Sequence, residues 1–177
     1  MKHIGLILLA LFIAGCNKTQ KDDNKPTTKV TKEHNTTKKV QNAILNLDNN
    51  DTIKISSQSI QTTLCESNQT IIINVFATWA KSSLNQLNTL DILEQKHDIC
   101  IVSVALDSNK TATNISNISQ KVIFSLQNND FVDKITHMIK IDKNFKLPLN
   151  LIYKNTRFID SYQGVMPYEM LEYIIKG

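Results

Sequence analysis

Residues 70–83 read TIIINVFATWAKSS, an apolar run of strand length that leads directly into a predicted helix. The β-branched residues from Ile71 to Val75 predict a central strand that is covered on both faces, because a half-exposed strand alternates polar with apolar side chains. Leucines then recur at helical spacing, at positions 84, 87, 90 and 93. They predict a helix from Ser82 to about Lys96.

The segments around this strand and helix extend the same pattern. A second apolar run, 99–106, predicts a parallel partner strand, so the two strands and the helix form a βαβ unit, half of an α/β sandwich. Residues 51–55 alternate and predict a short edge strand, and residues 149–162 predict an antiparallel hairpin that turns at 154–156. Two more helices are predicted, one on Phe131, Ile135, Met138 and Ile139, and a last one with Pro167 at its first position.

The N-terminus has the features of a secretion signal. Residues 4–14 form an apolar run of about eleven residues, which is too short to span a bilayer. The run ends in Ile13-Ala14-Gly15-Cys16, which resembles the lipobox of bacterial lipoproteins. This resemblance implies a signal peptide at 1–15 and a diacylglycerol on Cys16 that anchors the chain to a membrane of the bacterial cell envelope, with the domain on the extracytoplasmic or periplasmic side. An ordinary secretory signal is the alternative.

The positive charge of the chain lies mostly outside its predicted domain. Residues 17–42 hold seven lysines against three acidic residues, whereas residues 43–177 carry a net charge of −1 within a total of +4. A nearly neutral domain does not favour nucleic-acid binding. Since residues 17–42 have almost no apolar side chains, we predict a lipidated N-terminus and flexible tether at 16–42 and one domain at 43–177.

Three motifs in the predicted domain resemble one known family. Residues 74–83, NVFATWAKSS, resemble the N-F-W-A-T-W-C-x-x-C signature of membrane-anchored thioredoxin-like proteins of the TlpA/ResA type. Leu147-Pro148 resembles the cis-proline segment of that family, and residues 164–171 resemble its closing turn and helix. The resemblance covers about residues 51–176. It implies a thioredoxin-like α/β fold, with a central mixed sheet flanked by helices.

The two redox cysteines of this signature are absent. They would fall at Ala80 and Ser83, where the first would be the nucleophile and the second would resolve the mixed disulfide. Alanine has no nucleophile, and a serine hydroxyl has no redox couple. Residues 80 and 83 therefore cannot perform the thiol–disulfide exchange that is typical of the family, unless the natural chain has cysteines there.

Two other cysteines, Cys65 and Cys100, lie near the same end of the two predicted parallel strands. In an oxidising compartment we predict that they form a structural disulfide. Two buried thiols and a relocated redox pair are the alternatives.

The sequence leaves two interpretations of function. The first is a non-catalytic module that binds an envelope polypeptide or assembly partner in a groove formed by Trp79, Lys81, Leu147 and Pro148. The second is a thiol–disulfide oxidoreductase of the TlpA/ResA type, active in cytochrome c maturation or disulfide repair. It would act either through Cys65 and Cys100 or through natural cysteines at 80 and 83. Neither interpretation includes a cofactor or a metal, since no ligand set is recognisable.

Overall fold

The structure is a computed structural model that describes residues 42–47, 50–107, 115, 118–124, 128–142 and 144–177. The predicted signal peptide at 1–15, the lipid on Cys16 and all but the last residue of the predicted tether at 16–42 lie outside these residues. Within the described part, no helix is both long enough and apolar enough to cross a bilayer.

Eight strands and three helices are found within the described residues. The strands are β1 (Ala43–Asn46), β2 (Thr52–Ile55), β3 (Ile60–Thr62), β4 (Thr70–Phe76), β5 (Ile99–Ala105), β6 (Lys121–Ile123), β7 (Leu149–Lys154) and β8 (Arg157–Gln163). The helices are α1 (Lys81–Lys96), α2 (Asn128–Met138) and α3 (Tyr168–Lys176).

The larger sheet has five strands in the order β6-β5-β4-β7-β8, and β4 lies at its centre. Thr70 of β4 pairs with Ile99 in a parallel ladder to β5 and with Lys154 in an antiparallel ladder to β7. The sheet is therefore mixed. The predicted βαβ unit is confirmed as β4, α1 and β5, and the predicted hairpin is confirmed as β7 and β8.

The two faces of this sheet belong to different cores. Ile71, Ile73 and Val75 of β4 pack with α2 and with a separate three-stranded sheet. Ile72 packs on the opposite face against residues of α1 and α3, among them Leu90. Both faces of β4 are thus covered, which explains why its sequence is almost continuously apolar.

The structure corrects two predictions. The strand expected at an edge, β2, is instead the middle strand of the three-stranded sheet β1-β2-β3. Its partners on both sides are only three or four residues long and were not predicted, and neither was β6. Pro167 is the N-cap of α3 rather than its first helical residue, with φ −59° and ψ 150°.

Candidate functional site

The candidate site lies where β4 ends and α1 begins. After Phe76 the chain turns, with the N–H of Ala80 donating to the carbonyl of Ala77 at 3.1 Å. Ala80 is the N-cap of α1 with φ −95° and ψ 108°, and no side chain among the described residues caps this end of the helix. The first helical turn contains no acidic residue. The exposed amide end of α1 is therefore positive in character.

Asp107, which follows β5, fixes the turn that carries Trp79. Both the backbone N–H and the hydroxyl of Thr78 donate to the Asp107 carboxylate, each at 2.7 Å. The sequence did not identify Asp107, because residues 78 and 107 come together only through the parallel pairing of β4 with β5.

Three hydrogen bonds join three segments of the chain at this site. The Ser82 hydroxyl donates to the carbonyl of Leu147 at 3.3 Å, and the Leu147–Pro148 peptide bond is cis. The N–H of Gly164 donates to the carbonyl of Pro148 at 2.7 Å. The N–H of Met166 donates to the side-chain oxygen of Gln86 at 2.6 Å. The start of α1, the proline segment and the turn before α3 therefore form one surface.

Two large apolar side chains are exposed on these segments. Trp79 is 75% exposed and Val165 is 49% exposed. Lys81 is also exposed and Leu147 is partly exposed, whereas Pro148 is buried. We call the surface formed by Trp79, Lys81, Leu147 and Val165 the Trp79 face. Of the four groove residues predicted from the sequence, three are accessible. Pro148 contributes by shaping the backbone.

Positions 80 and 83 differ in accessibility. Ala80 is partly exposed, while Ser83 is fully buried, and its hydroxyl has no hydrogen-bond partner among the described residues. This arrangement of an accessible first position and a buried second position would suit a nucleophilic and a resolving thiol. Since neither residue has sulfur, the pair cannot perform thiol–disulfide exchange.

A layer of buried polar side chains lies between α1 and the sheet. The Asn74 amide donates to the Ser103 hydroxyl at 3.2 Å, and that hydroxyl donates to Gln120 at 2.5 Å. Asn150 lies opposite Asn74 in the β4–β7 ladder. Five side-chain atoms in this region have no partner among the described residues: Asn74 Oδ1, Ser83 Oγ, Gln86 Nε2, Asn150 Nδ2 and Asn150 Oδ1. The sequence did not indicate this layer, which only the folded arrangement brings together.

Cys65 and Cys100 form a disulfide bond, with their Cα atoms 5.7 Å apart. Cys100 is the second residue of β5, and Cys65 lies in the loop between β3 and β4. The disulfide is at the amino end of β4, and the Trp79 face is at the carboxyl end. Seven strand residues separate them, or about 20 Å at the usual rise of a strand.

The described residues contain no group of three or more His, Cys, Asp or Glu side chains that could hold a metal ion. The imidazole Nε2 of His97, at the end of α1, lies 3.4 Å from the carboxylate Oε1 of Glu172 on α3. It therefore contributes to the contact between α1 and α3.

No protein-family model matches the sequence, and no curated protein matches it. Solved structures do match the fold. A thioredoxin-family thiol:disulfide interchange protein from Chlorobium tepidum aligns with a TM-score of 0.52 and 15% identity, over 66% of this chain and 84% of its own. An exposed lipoprotein thioredoxin from Streptococcus pneumoniae aligns with a TM-score of 0.52 and 12% identity, over 77% of this chain and 98% of its own.

A third similar structure is a secreted Mycobacterium tuberculosis disulfide oxidoreductase, described as homologous to DsbE of E. coli. It aligns with a TM-score of 0.50 and 10% identity, over 67% of this chain and 93% of its own. At these identities the likeness establishes the fold alone. The predicted thioredoxin-like fold is confirmed.

Proposed function

We propose that this protein is a lipid-anchored, extracytoplasmic binding module whose thioredoxin-like domain holds an extended polypeptide on the Trp79 face. The observation that carries the proposal is the 75% exposure of Trp79 beside a helix end that has no thiols. A tryptophan so exposed gains free energy when a partner covers it, since its ring provides a large apolar contact area.

The geometry of the Trp79 face favours a polypeptide that is extended. Leu147 precedes a cis-proline, and its backbone runs directly into β7. Backbone in this position can pair with an added strand, which gives affinity without requiring a defined sequence. Trp79 and Val165 then provide apolar contacts for side chains of the bound segment.

The charges near this face favour a carboxylate in the bound segment. Lys81 and Lys146 are exposed, and the first turn of α1 presents its amide end without an acidic side chain. The nearby carboxylate of Asp107 already accepts two hydrogen bonds from Thr78. We therefore commit to an occupant that carries an apolar side chain next to a glutamate or aspartate.

The proposed location follows from the lipobox ending at Cys16 and from the polar tether at 17–42. The likeness in fold to one exposed lipoprotein and one secreted protein supports it. The oxidoreductase alternative at positions 80 and 83 would require cysteines in place of Ala80 and Ser83. The alternative through Cys65 and Cys100 involves a different part of the domain.

The proposal is tested with the full-length lipidated protein in detergent and fluorescently labelled peptides of about twelve residues without cysteine. The panel varies a central leucine or phenylalanine and a neighbouring glutamate. We expect saturable binding by fluorescence anisotropy for apolar-acidic peptides and weaker binding when the glutamate is replaced by glutamine. Because these peptides lack thiols, they cannot undergo exchange with the Cys65–Cys100 disulfide.

Two variants locate the binding surface. Trp79→Ala should abolish saturable binding and leave the thermal midpoint almost unchanged, because the side chain is largely exposed. Tyr173→Ala is the matched control, since Tyr173 is 79% exposed but lies on α3 and not on the Trp79 face. Equal binding by the wild type and by Trp79→Ala would overturn the proposal.

A further inference from the structure

We propose that the Cys65–Cys100 disulfide is a thiol-exchange site, at which a small thiolate attacks the sulfur of Cys65 and Cys100 departs as the buried thiolate. This activity goes beyond the proposed polypeptide binding and uses the opposite end of β4. The proposal is based on the residues and clefts that surround the two sulfurs.

The two cysteines differ in accessibility. Cys100 is 6% exposed and lies within the β4–β5 ladder, opposite Ile71. Cys65 is only partly buried and lies in a loop. An incoming thiolate can therefore reach the sulfur of Cys65 more readily than that of Cys100, and the direction of attack follows from this difference.

Two clefts border the disulfide. The first, of about 390 Å³, is lined by both cysteines and by charged side chains that include Glu94 and Lys121. The second, of about 290 Å³, is lined by Cys65 together with Ser67 and Thr156, but not by Cys100. Exchange requires the attacking sulfur to approach opposite the departing one. The second cleft offers access to Cys65 that does not pass Cys100, and it is large enough for a small thiol.

The first cleft contains one cation, Lys121, that can stabilise the departing sulfur. Cys100 Sγ lies 3.7 Å from the carbonyl oxygen of Leu64, and the ammonium group of Lys121 donates to the same oxygen. A positive charge in this position favours the thiolate of Cys100. Glu94 lines the same cleft, where a negative charge on its carboxylate would oppose this effect, and it accepts a hydrogen bond from the N–H of Ile101 at 2.9 Å.

The reaction balances with two equivalents of a small thiol. The first, as its thiolate, bonds to Cys65 Sγ while the bond between the two cysteine sulfurs breaks, and Cys100 takes up the proton that the attacking thiol lost. The second thiolate attacks the external sulfur of the mixed disulfide and releases Cys65 as a thiol after protonation. The protein disulfide is reduced to two thiols, and two small thiols are oxidised to one disulfide.

The first test uses the full-length lipidated protein and 2-mercaptoethanol as the thiol. We expect mass spectrometry after alkylation to show that the bridge opens while near-ultraviolet circular dichroism remains that of the folded domain. Opening only in denaturant would overturn the proposal and identify the bridge as purely structural. This outcome would leave the binding of cysteine-free peptides at Trp79 unaffected, so the two proposals fail separately.

Trapping the mixed disulfide tests the direction of attack. After brief treatment of the wild type with 2-mercaptoethanol and quenching with acid, peptide mass spectrometry should find the adduct on Cys65 at least about tenfold more often than on Cys100, because Cys65 is more exposed. Equal amounts of adduct on the two cysteines would overturn the assignment of Cys65 as the attacked sulfur.

Two lysine variants, each with both cysteines present, test the role of Lys121. Lys121→Met should slow the opening of the bridge by 2-mercaptoethanol about three- to tenfold, because it removes the charge that favours the departing thiolate. Lys54→Met, on an exposed position of β2, should leave this rate unchanged. Equal rates for the two variants would overturn this part of the proposal.

Discussion

The side-chain oxygen of Gln86 accepts a hydrogen bond of 2.6 Å from the backbone N–H of Met166, 80 positions further along the chain. Both residues are buried. The bond attaches the turn before α3 to the second turn of α1. It thereby holds Val165, the residue before Met166, close to the first two turns of α1.

Replacing Gln86 should destabilise the domain. Gln86→Met keeps the approximate shape of the side chain but leaves the N–H of Met166 buried without an acceptor, at a cost of about 1–3 kcal/mol in the free energy of unfolding. Gln95→Met on the same helix is the control, because Gln95 is exposed and bonds only to Asp91 among the described residues. Urea denaturation measures both variants, and equal losses would contradict the structural role of Gln86.

Replacing Ser83, in contrast, should not destabilise the domain. Its buried hydroxyl has no partner among the described residues, so Ser83→Ala should leave the free energy of unfolding unchanged or raise it by up to about 1 kcal/mol. Ser103→Ala, at an equally buried serine with two hydrogen bonds, should lose about 1–3 kcal/mol. A similar loss in both variants, measured by urea denaturation, would show that Ser83 has a bound partner.

Introducing cysteines at positions 80 and 83 should introduce redox chemistry. In the double variant Ala80→Cys with Ser83→Cys, the new sulfurs are three positions apart at a helix start, where the free amides favour a thiolate. We expect an intramolecular bridge by mass spectrometry and reduction of insulin. Ala80→Cys alone is the control and should form no such bridge at this site. A double variant without the new bridge would contradict the inferred site geometry.

Glu94 should make the domain less stable as the pH rises from the acid range towards neutrality. Burial raises the pKa of its carboxyl group and Asp91 adds to the rise, while the hydrogen bond from Ile101 and the charge of Lys121 oppose it. The folded state therefore binds the proton more tightly than the unfolded state. The contribution of Glu94 to the free energy of unfolding is present below its pKa in the unfolded state. It is lost as the pH rises through its higher pKa in the folded state.

The variant Glu94→Gln tests the direction of this pH dependence, because it keeps an acceptor for the N–H of Ile101 without the charge. Its free energy of unfolding, relative to the wild type, should increase between about pH 4 and about pH 7. Urea denaturation across this range measures the difference. A relative decrease would mean that the charged form of Glu94 is favoured in the folded state.

The sequence predicted those parts of the fold whose residues repeat a local pattern. The apolar runs of β4 and β5 and the leucines of α1 are long enough to indicate their structure. The strands β1, β3 and β6 have only three or four residues, too few to show a period. The alternation in β2 indicates that one face of the strand is exposed. Both an edge strand and the middle strand of a small sheet can have such a face, so the pattern does not distinguish them.

The candidate site was predictable where it depends on residue type and unpredictable where it depends on distant contacts. The absence of sulfur at Ala80 and Ser83 is evident from the sequence. The bonds from Thr78 to Asp107 and from Met166 to Gln86 join segments that no local pattern relates. The sequence also placed Cys65 and Cys100 near each other, but the difference in their exposure required the structure.

The emission of Trp79 tests the central claim most directly, because it is the only tryptophan in the chain and lies on the proposed binding surface. The wild-type protein is titrated with the apolar-acidic peptides, which contain neither tryptophan nor cysteine. We expect a saturable shift of the emission to shorter wavelength as a peptide covers the exposed indole. Peptide binding by anisotropy with no change in this emission would place the bound polypeptide elsewhere and contradict the claim.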